Sequence, residues 1–295
     1  MHKSGFVNII GRPNVGKSTL MNALVGEKMS IITHKPQTTR HRIIGILSGD
    51  DYQIVFSDTP GIVRDPTYKM HEAMNKFVNT TFDDADVMLF VLDVNEVYAE
   101  DDLIFDRLNR VECPLFLVIN KVDSVNTEML EKVIAEWTSK VKFSRVIPIS
   151  ALRVQGIDDL MANIKLALPE GPEYYPKDQL TDRSERFFTS EIIREKILLQ
   201  YRDEVPYSCE VIVDAYKEDP KRALVRINAT IYVMRETQKL IVIGKNGSAI
   251  KQLGIAARKS LETFAQKQVH LELHVKVRDN WRDDEKMMKA FGYID

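Results

Sequence analysis

The chain of 295 residues is poor in cysteine, with Cys113 and Cys209 only. Each lies in an apolar run and neither has metal-ligand spacing, so both read as small buried hydrophobes of a reduced compartment. No apolar run reaches the roughly 20 residues needed to cross a bilayer. The apolar run near the N-terminus is too short for a signal peptide, and a cytoplasmic protein is expected. There are no internal repeats and no low-complexity tract. The six histidines are scattered, and no cysteine nucleophile stands beside them. Net charge is only −2, so whole-chain charge points to no partner.

The distribution of charge is more informative. Residues 1–180 carry a net −5 and residues 181–295 a net +3. Between Lys221 and Ser260 nine Lys or Arg face a single acid, Glu236, a local excess of +8. That is a basic surface inside a near-neutral chain. Hydrophobic content of 44% is ordinary, and the length allows two domains, each with its own core. Pro169-Glu-Gly-Pro-Glu-Tyr-Tyr-Pro176 breaks the pattern, and 169–180 reads as a semi-rigid linker. The expected division is 1–168, a linker, and 181–295.

Gly11-Arg12-Pro13-Asn14-Val15-Gly16-Lys17-Ser18-Thr19 fits G-x-x-x-x-G-K-[ST], the phosphate-binding loop. Phe6–Ile10 before it reads as a buried strand and Leu20–Val25 after it as a helix, the context that the motif requires. The glycines let backbone approach phosphate closely. The loop N–H groups and the helix N-terminus present positive partial charge. Lys17 reaches the β- and γ-phosphates, and the Ser18 hydroxyl is placed for Mg²⁺.

Two strands, Ile43–Leu47 and Tyr52–Ser57, are joined by so tight a turn that they must pair antiparallel. The second ends in Asp58-Thr59-Pro60-Gly61, where a Walker-B carboxylate belongs. Gly61 can offer a backbone N–H to a γ-phosphate. Buried strands at Asp86–Asp93 and Pro114–Asn120 follow. The latter runs into Asn120-Lys121-Val122-Asp123, the N-K-x-D signature of guanine selection. Asp123 accepts from the ring N–H and the amine of guanine, whereas adenine would leave the carboxylate unpaired. Asn120 ties this loop to its neighbours, and the Lys121 stem lies along the base. Val146–Ile149 ends in Ser150-Ala151, a weaker guanine signal; Leu152 stands where GTPases often carry lysine. Strands alternating with helices predict an α/β P-loop domain, a mostly parallel doubly wound sheet with one antiparallel edge strand.

The second half reads α-β-β-α-α-β plus a final short helix, an α+β domain. Gly244-Lys245-Asn246-Gly247 joins two helices, flanked by Ile243 and Ile250, within the basic stretch. A lone G-x-x-G is usually a turn. Here the helices on both sides, Lys245 at the tip and Lys251 beyond fit a KH module of type II order, whose loop clamps single-stranded nucleic acid. A protein-docking α+β domain is the alternative.

Together these motifs, with Gln37-Thr38-Thr39-Arg40-His41, resemble the Era family of GTPases over essentially the whole chain. The resemblance implies a GTPase that assists maturation of the small (30S) ribosomal subunit, with a KH domain that binds 16S rRNA near its 3′ end. It implies a monomer, cytoplasmic or peripheral to the inner membrane. It assigns 37–41 as the first switch, with Thr39, or alternatively Thr38, as a Mg²⁺ ligand beside Ser18 and Asp58. Small signalling GTPases carry a glutamine where this chain has Ile62, which cannot orient a water. Relatives with that feature use K⁺ held in part by a P-loop asparagine, here Asn14. Catalysis is thereby expected from Lys17, Thr39, Gly61 and Asn14.

Overall fold

The computed structural model describes residues 2–61, 63, 65–99, 102–219 and 221–294. Its packing forms two compact units, residues 1–64 with 74–182, and residues 65–73 with 183–295.

In the first unit β1 (Lys3–Ile10), α1 (Lys17–Val25), β2 (Ile43–Ser48), β3 (Tyr52–Asp58), α2 (Lys69–Asp83, from Met74), β4 (Val87–Asp93), α3 (Ile104–Leu108), β5 (Leu115–Asn120), α4 (Thr127–Lys140), β6 (Arg145–Pro148) and α5 (Ile157–Ala167) follow one another. The strands form one sheet in the order β2-β3-β1-β4-β5-β6. Every pair is parallel except β2 with β3, which is the antiparallel edge. The central strands are apolar on both faces, and Val87–Leu92 are buried without interruption, because helices cover the sheet on either side. Strand register sets the site: Ile9 lies beside Asp58, and Asp93 beside Asn120, so the motif-bearing ends finish at one edge of the sheet. Helix α4 starts where Asn126 accepts from the Met129 N–H at 2.9 Å, a side-chain N-cap.

The stretch 169–180, expected as a semi-rigid linker, is packed against the edge of this unit. The Gln53 carboxamide oxygen accepts from the N–H groups of Tyr174 and Tyr175 at 2.7 and 2.9 Å. Ile46 of the edge strand β2 donates to the Leu180 carbonyl at 2.8 Å, satisfying a backbone group that an open edge would leave bare.

The second unit runs α6 (Glu185–Gln200), α7 (Val205–Ser208), β7 (Glu210–Asp219), β8 (Leu224–Val233), α8 (Glu236–Ile243), α9 (Ser248–Ala265), β9 (Gln268–Val277) and α10 (Glu285–Ala290). The three strands order as β7-β8-β9, with β7–β8 antiparallel and β8–β9 parallel. One face of the sheet packs on α6 and α9 through Ile193, Ile197, Val225, Ile227, Leu253 and Leu261. The short turn of helix α7 was not foreseen. It brings Ser208 under Trp281, whose buried indole N–H donates to the Ser208 carbonyl at 3.0 Å. Residues 65–73 belong to this unit through hydrogen bonds such as Lys69 N–H to Asp283 Oδ1 at 3.0 Å. Among the described residues no helix is long and apolar enough to cross a membrane.

Candidate functional site

A groove of about 630 Å³ opens beyond the C-terminal ends of β1, β3 and β5, where the strand order reverses. It is lined by Pro13, Asn14, Gly16, Lys17, Ser18 and Thr19 on one side, and by Asn120, Lys121, Asp123 and Ser150 on the other. The phosphate loop wraps its end through left-handed backbone at Asn14 (φ 66°) and Gly16 (φ 100°). Glycine is required at 16: a Cβ there would stand 2.2 Å from the Asn120 Nδ2. Gly16 is the N-cap of α1, so the first N–H groups of that helix face the groove.

Lys17 is buried and donates to the carbonyls of Gly11 and Arg12 at 2.9 and 2.8 Å. Burial lowers its ammonium to about 8, against the opposing charge of Asp58. Asp58 is also buried, and burial raises its carboxyl above the usual range despite the Ser18 hydrogen bond and Lys17. The Ser18 hydroxyl donates to Asp58 Oδ2 at 2.7 Å and lies 2.9 Å from the Thr39 hydroxyl, which in turn is 3.5 Å from Asp58 Oδ2. Asp58 Oδ1 is buried without a well-formed hydrogen bond among the described residues. Two hydroxyls and a carboxylate oxygen are hard donors of the kind Mg²⁺ takes. The Thr38 hydroxyl points elsewhere, 2.6 Å from Thr33 Oγ1 and 2.6 Å from the Lys35 carbonyl.

The far end of the groove is held by Asn120. Its Nδ2 donates to the Val15 carbonyl at 2.8 Å, and its Oδ1 accepts from the N–H groups of Lys121 and Ala151 at 2.8 and 3.0 Å. Lys121, itself left-handed at φ 64°, reaches the Asn14 carbonyl at 3.0 Å and Asp93 at 2.6 Å. Asp123 sits in a 3-10 turn over Val122–Ser124, its carboxyl lowered first by a hydrogen bond from Ser150, then by its own backbone N–H and by the charge of Arg153, 3.2 Å away.

Not every motif side chain faces this groove. Val15 is buried and Val122 packs into the core, so both serve through backbone. The Thr59 hydroxyl donates to the Ile9 carbonyl at 3.0 Å, Pro60 is buried and Gly61 lines the groove. Ile62 lies outside the described residues. Arg12 turns away altogether: its guanidinium stacks 3.5 Å over the Tyr98 ring and pairs with Asp102 and Glu96. Groove walls from Ile31, Ile32 and Leu152 carry no motif and were not foreseen.

In the second unit Gly244 (φ 74°), Asn246 (φ 52°) and Gly247 (φ 75°) form a tight turn over Lys245–Gly247, closed by Gly247 N–H to the Gly244 carbonyl at 3.1 Å. Lys245 and Asn246 are exposed at its tip, and Ile243 and Ile250 are half-buried below. A second groove of about 340 Å³ runs from it between α9 and β9, lined by Ile250, Lys251, Gly254, Ile255 and Arg258 with Leu271 and Leu273. Gly254 forms an open floor, the nearest atom to a Cβ there being Leu273 Cδ1 at 3.8 Å. The helical spacing of 251, 254, 255 and 258 was the available signal for this groove. Its other wall, on β9, had none.

Comparison with known proteins follows the same division. Residues 6–121 match the family described as 50S ribosome-binding GTPase, and residues 204–282 match the KH domain family. GTPase Era of Syntrophus aciditrophicus is 48% identical over 99% of this chain and 96% of its own length. A solved structure of Era in complex with MgGDPNP and nucleotides 1506–1542 of 16S ribosomal RNA superposes with a TM-score of 0.94, at 37% identity over 99% of both chains. A variant of Aquifex aeolicus Era bound to GDP·AlF4− gives 0.93, also at 37% identity over 99% of both chains.

Proposed function

The chain belongs to the Era family of GTPases, and on that premise we propose that it is a GTP-hydrolysing switch that binds 16S rRNA near its 3′ end and assists assembly of the small ribosomal subunit. The observation that carries the hydrolytic half is the corner where Ser18, Thr39 and Asp58 meet within 2.7–3.5 Å, next to a buried lysine and a helix N-terminus. Ser18, Thr39 and Asp58 would hold Mg²⁺, which supplies charge neutralisation at the β- and γ-phosphates. Lys17 and the loop N–H groups bind the phosphates, Asp123 reads the base, and the Gly61 N–H meets the γ-phosphate. Hydrolysis is in-line attack of water, so the protein contributes positioning and fixed charge. Loss of the γ-phosphate releases Thr39 and Gly61, and with them the two switch segments.

Asn14 suits a monovalent cation site. It lines the groove, and its side chain makes no hydrogen bond among the described residues, while its carbonyl is held by Lys121. K⁺ there would take the place of an arginine finger. The turn at 244–247 and the basic, partly apolar groove beside it support RNA binding by Gly244, Lys245, Asn246, Gly247, Ile250 and Lys251. The proposed form is a cytoplasmic monomer. Peripheral contact with the membrane rests on family likeness alone.

The test is turnover of GTP and ATP by the purified protein with Mg²⁺, and binding of a single-stranded RNA of the 16S 3′ end against a scrambled one. GTP-selective turnover and preference for the 16S segment are expected. Equal use of ATP, or equal binding of both RNAs, would overturn the corresponding half.

A further inference from the structure

We propose that Arg12 is a positioning residue for GTP hydrolysis: clamped on Tyr98 and Asp102, it fixes Pro13 and Asn14 at the γ-phosphate end of the groove. The inference rests on the reading of the chain as a GTPase.

Three residues among the six from Gly11 to Gly16 have positive φ, namely Gly11 (152°), Asn14 (66°) and Gly16 (100°). Such backbone persists where its surroundings hold it. The half nearer the base is held by Asn120 on the Val15 carbonyl and Lys121 on the Asn14 carbonyl. The other half is held by Lys17 on the carbonyls of Gly11 and Arg12, and by the Arg12 side chain.

That side chain leaves the nucleotide groove and lines a separate cavity of about 430 Å³. Its Nη2 is 2.5 Å from Asp102, and its Nη1 is 3.3 Å from Glu96 and 3.1 Å from the Val97 carbonyl. The flat guanidinium lies on the Tyr98 ring, a fork-and-stack arrangement that an ammonium cannot reproduce. Tyr98 is only 5% exposed and meets Trp137 edge-on, with centroids 4.9 Å apart. The loop is thereby anchored to the core of its unit.

The next link is Pro13. Gly61 packs so closely on it that a Cβ would stand 2.6 Å from Pro13 Cγ. A shift at Arg12 therefore passes first to Pro13 and Gly61, and on to Asn14 at the junction of the two halves, where Lys121 holds only its carbonyl. The base is held independently by Asn120, Lys121 and Asp123. Loss of the clamp accordingly slows the chemical step and spares GDP binding.

The test measures kcat, KM and the GDP dissociation constant of the full chain, with circular dichroism as folding control. Arg12→Ala lowers kcat by about tenfold or more, since small misplacements of reacting groups are costly. GDP affinity stays within about twofold, the signature of an interaction expressed in the transition state. Arg12→Lys does not restore kcat, whereas Tyr98→Phe keeps the wild-type value because the ring face is what the guanidinium uses. Asp102→Ala, which leaves the aromatic core intact, lowers kcat in the same sense and stands in should Arg12→Ala fail to fold. A folded variant of either kind with wild-type kcat overturns the inference, as does a fall in GDP affinity equal to the fall in kcat. A wild-type protein that does not hydrolyse GTP would overturn the GTPase reading itself.

Discussion

The Asn120 side-chain amide donates to the Val15 carbonyl across 2.8 Å, tying the loop at 120–123 to the loop at 11–19 over a sequence separation of 105 residues. The same side chain accepts from Ala151, so three motifs share one carboxamide. Asn120→Ala leaves the buried Val15 carbonyl without its partner, a loss on the order of 1–3 kcal/mol. Affinity for GTP and GDP should fall together by about tenfold or more, and the melting temperature with them. Titration calorimetry with both nucleotides checks this; unchanged affinity would mean that the loops are aligned by other contacts.

Asp123→Asn removes the charged acceptor for guanine and sets one donor against another. GTP affinity should drop by about a hundredfold or more, because a site built to pair hydrogen-bonding groups rejects mismatched ones strongly. Xanthine nucleotide, with an acceptor in place of the amine, should gain. Competition binding of the two nucleotides reads the exchange, and a variant with wild-type preference refutes the assignment of Asp123.

Thr39 and Thr38 are separated by geometry, since only Thr39 is near Asp58. Thr39→Ala should raise the Mg²⁺ concentration needed for half-maximal turnover by about tenfold, and Thr38→Ala by less than about twofold, because only the former removes a hard oxygen donor. Mg²⁺ titration of both variants decides; the reverse order would move the ligand to Thr38.

Potassium should support faster GTP turnover than sodium, and Asn14→Ala should abolish the difference. Ile62→Ala should retain the response to K⁺. Rates measured at equal ionic strength give the answer. Identical rates in both salts would require another source of charge stabilisation.

Lys245→Asp combined with Asn246→Asp replaces one positive charge by two negative ones at an exposed turn. RNA affinity should fall by about tenfold or more, most steeply at low salt. GTP turnover without RNA should be unchanged, because both substitutions lie outside the nucleotide groove. A folded double variant that binds single-stranded RNA like wild type would move RNA contact away from this loop.

The placement of 11–19, Asp58 and 120–123 at strand ends was legible because each rests on spacing over a few residues: a loop between a strand and a helix, or a carboxylate at a strand end. The antiparallel edge was legible too, since the turn at 49–51 is too short for a crossover. Helix ends were less so. The helix expected over Leu20–Val25 starts three residues earlier, at Lys17. Polar residues around these ends are compatible with turn or helix, and tertiary packing decides between them.

By itself the sequence determined where the loops at 11–19, 58–61, 120–123 and 244–247 fall, because glycine placement and strand–loop–helix order are local properties. Only the tertiary structure decided where the side chains between those segments go. Arg12 leaves the groove because Tyr98 and Asp102, far along the chain, form a better site for its guanidinium. Thr39 rather than Thr38 reaches Asp58 because the loop turns the Thr38 hydroxyl inward, to Thr33 and the Lys35 carbonyl. The second groove exists because Leu271 and Leu273 of β9 close against α9. Each depends on a partner that no local pattern names, so packing between distant segments settles it.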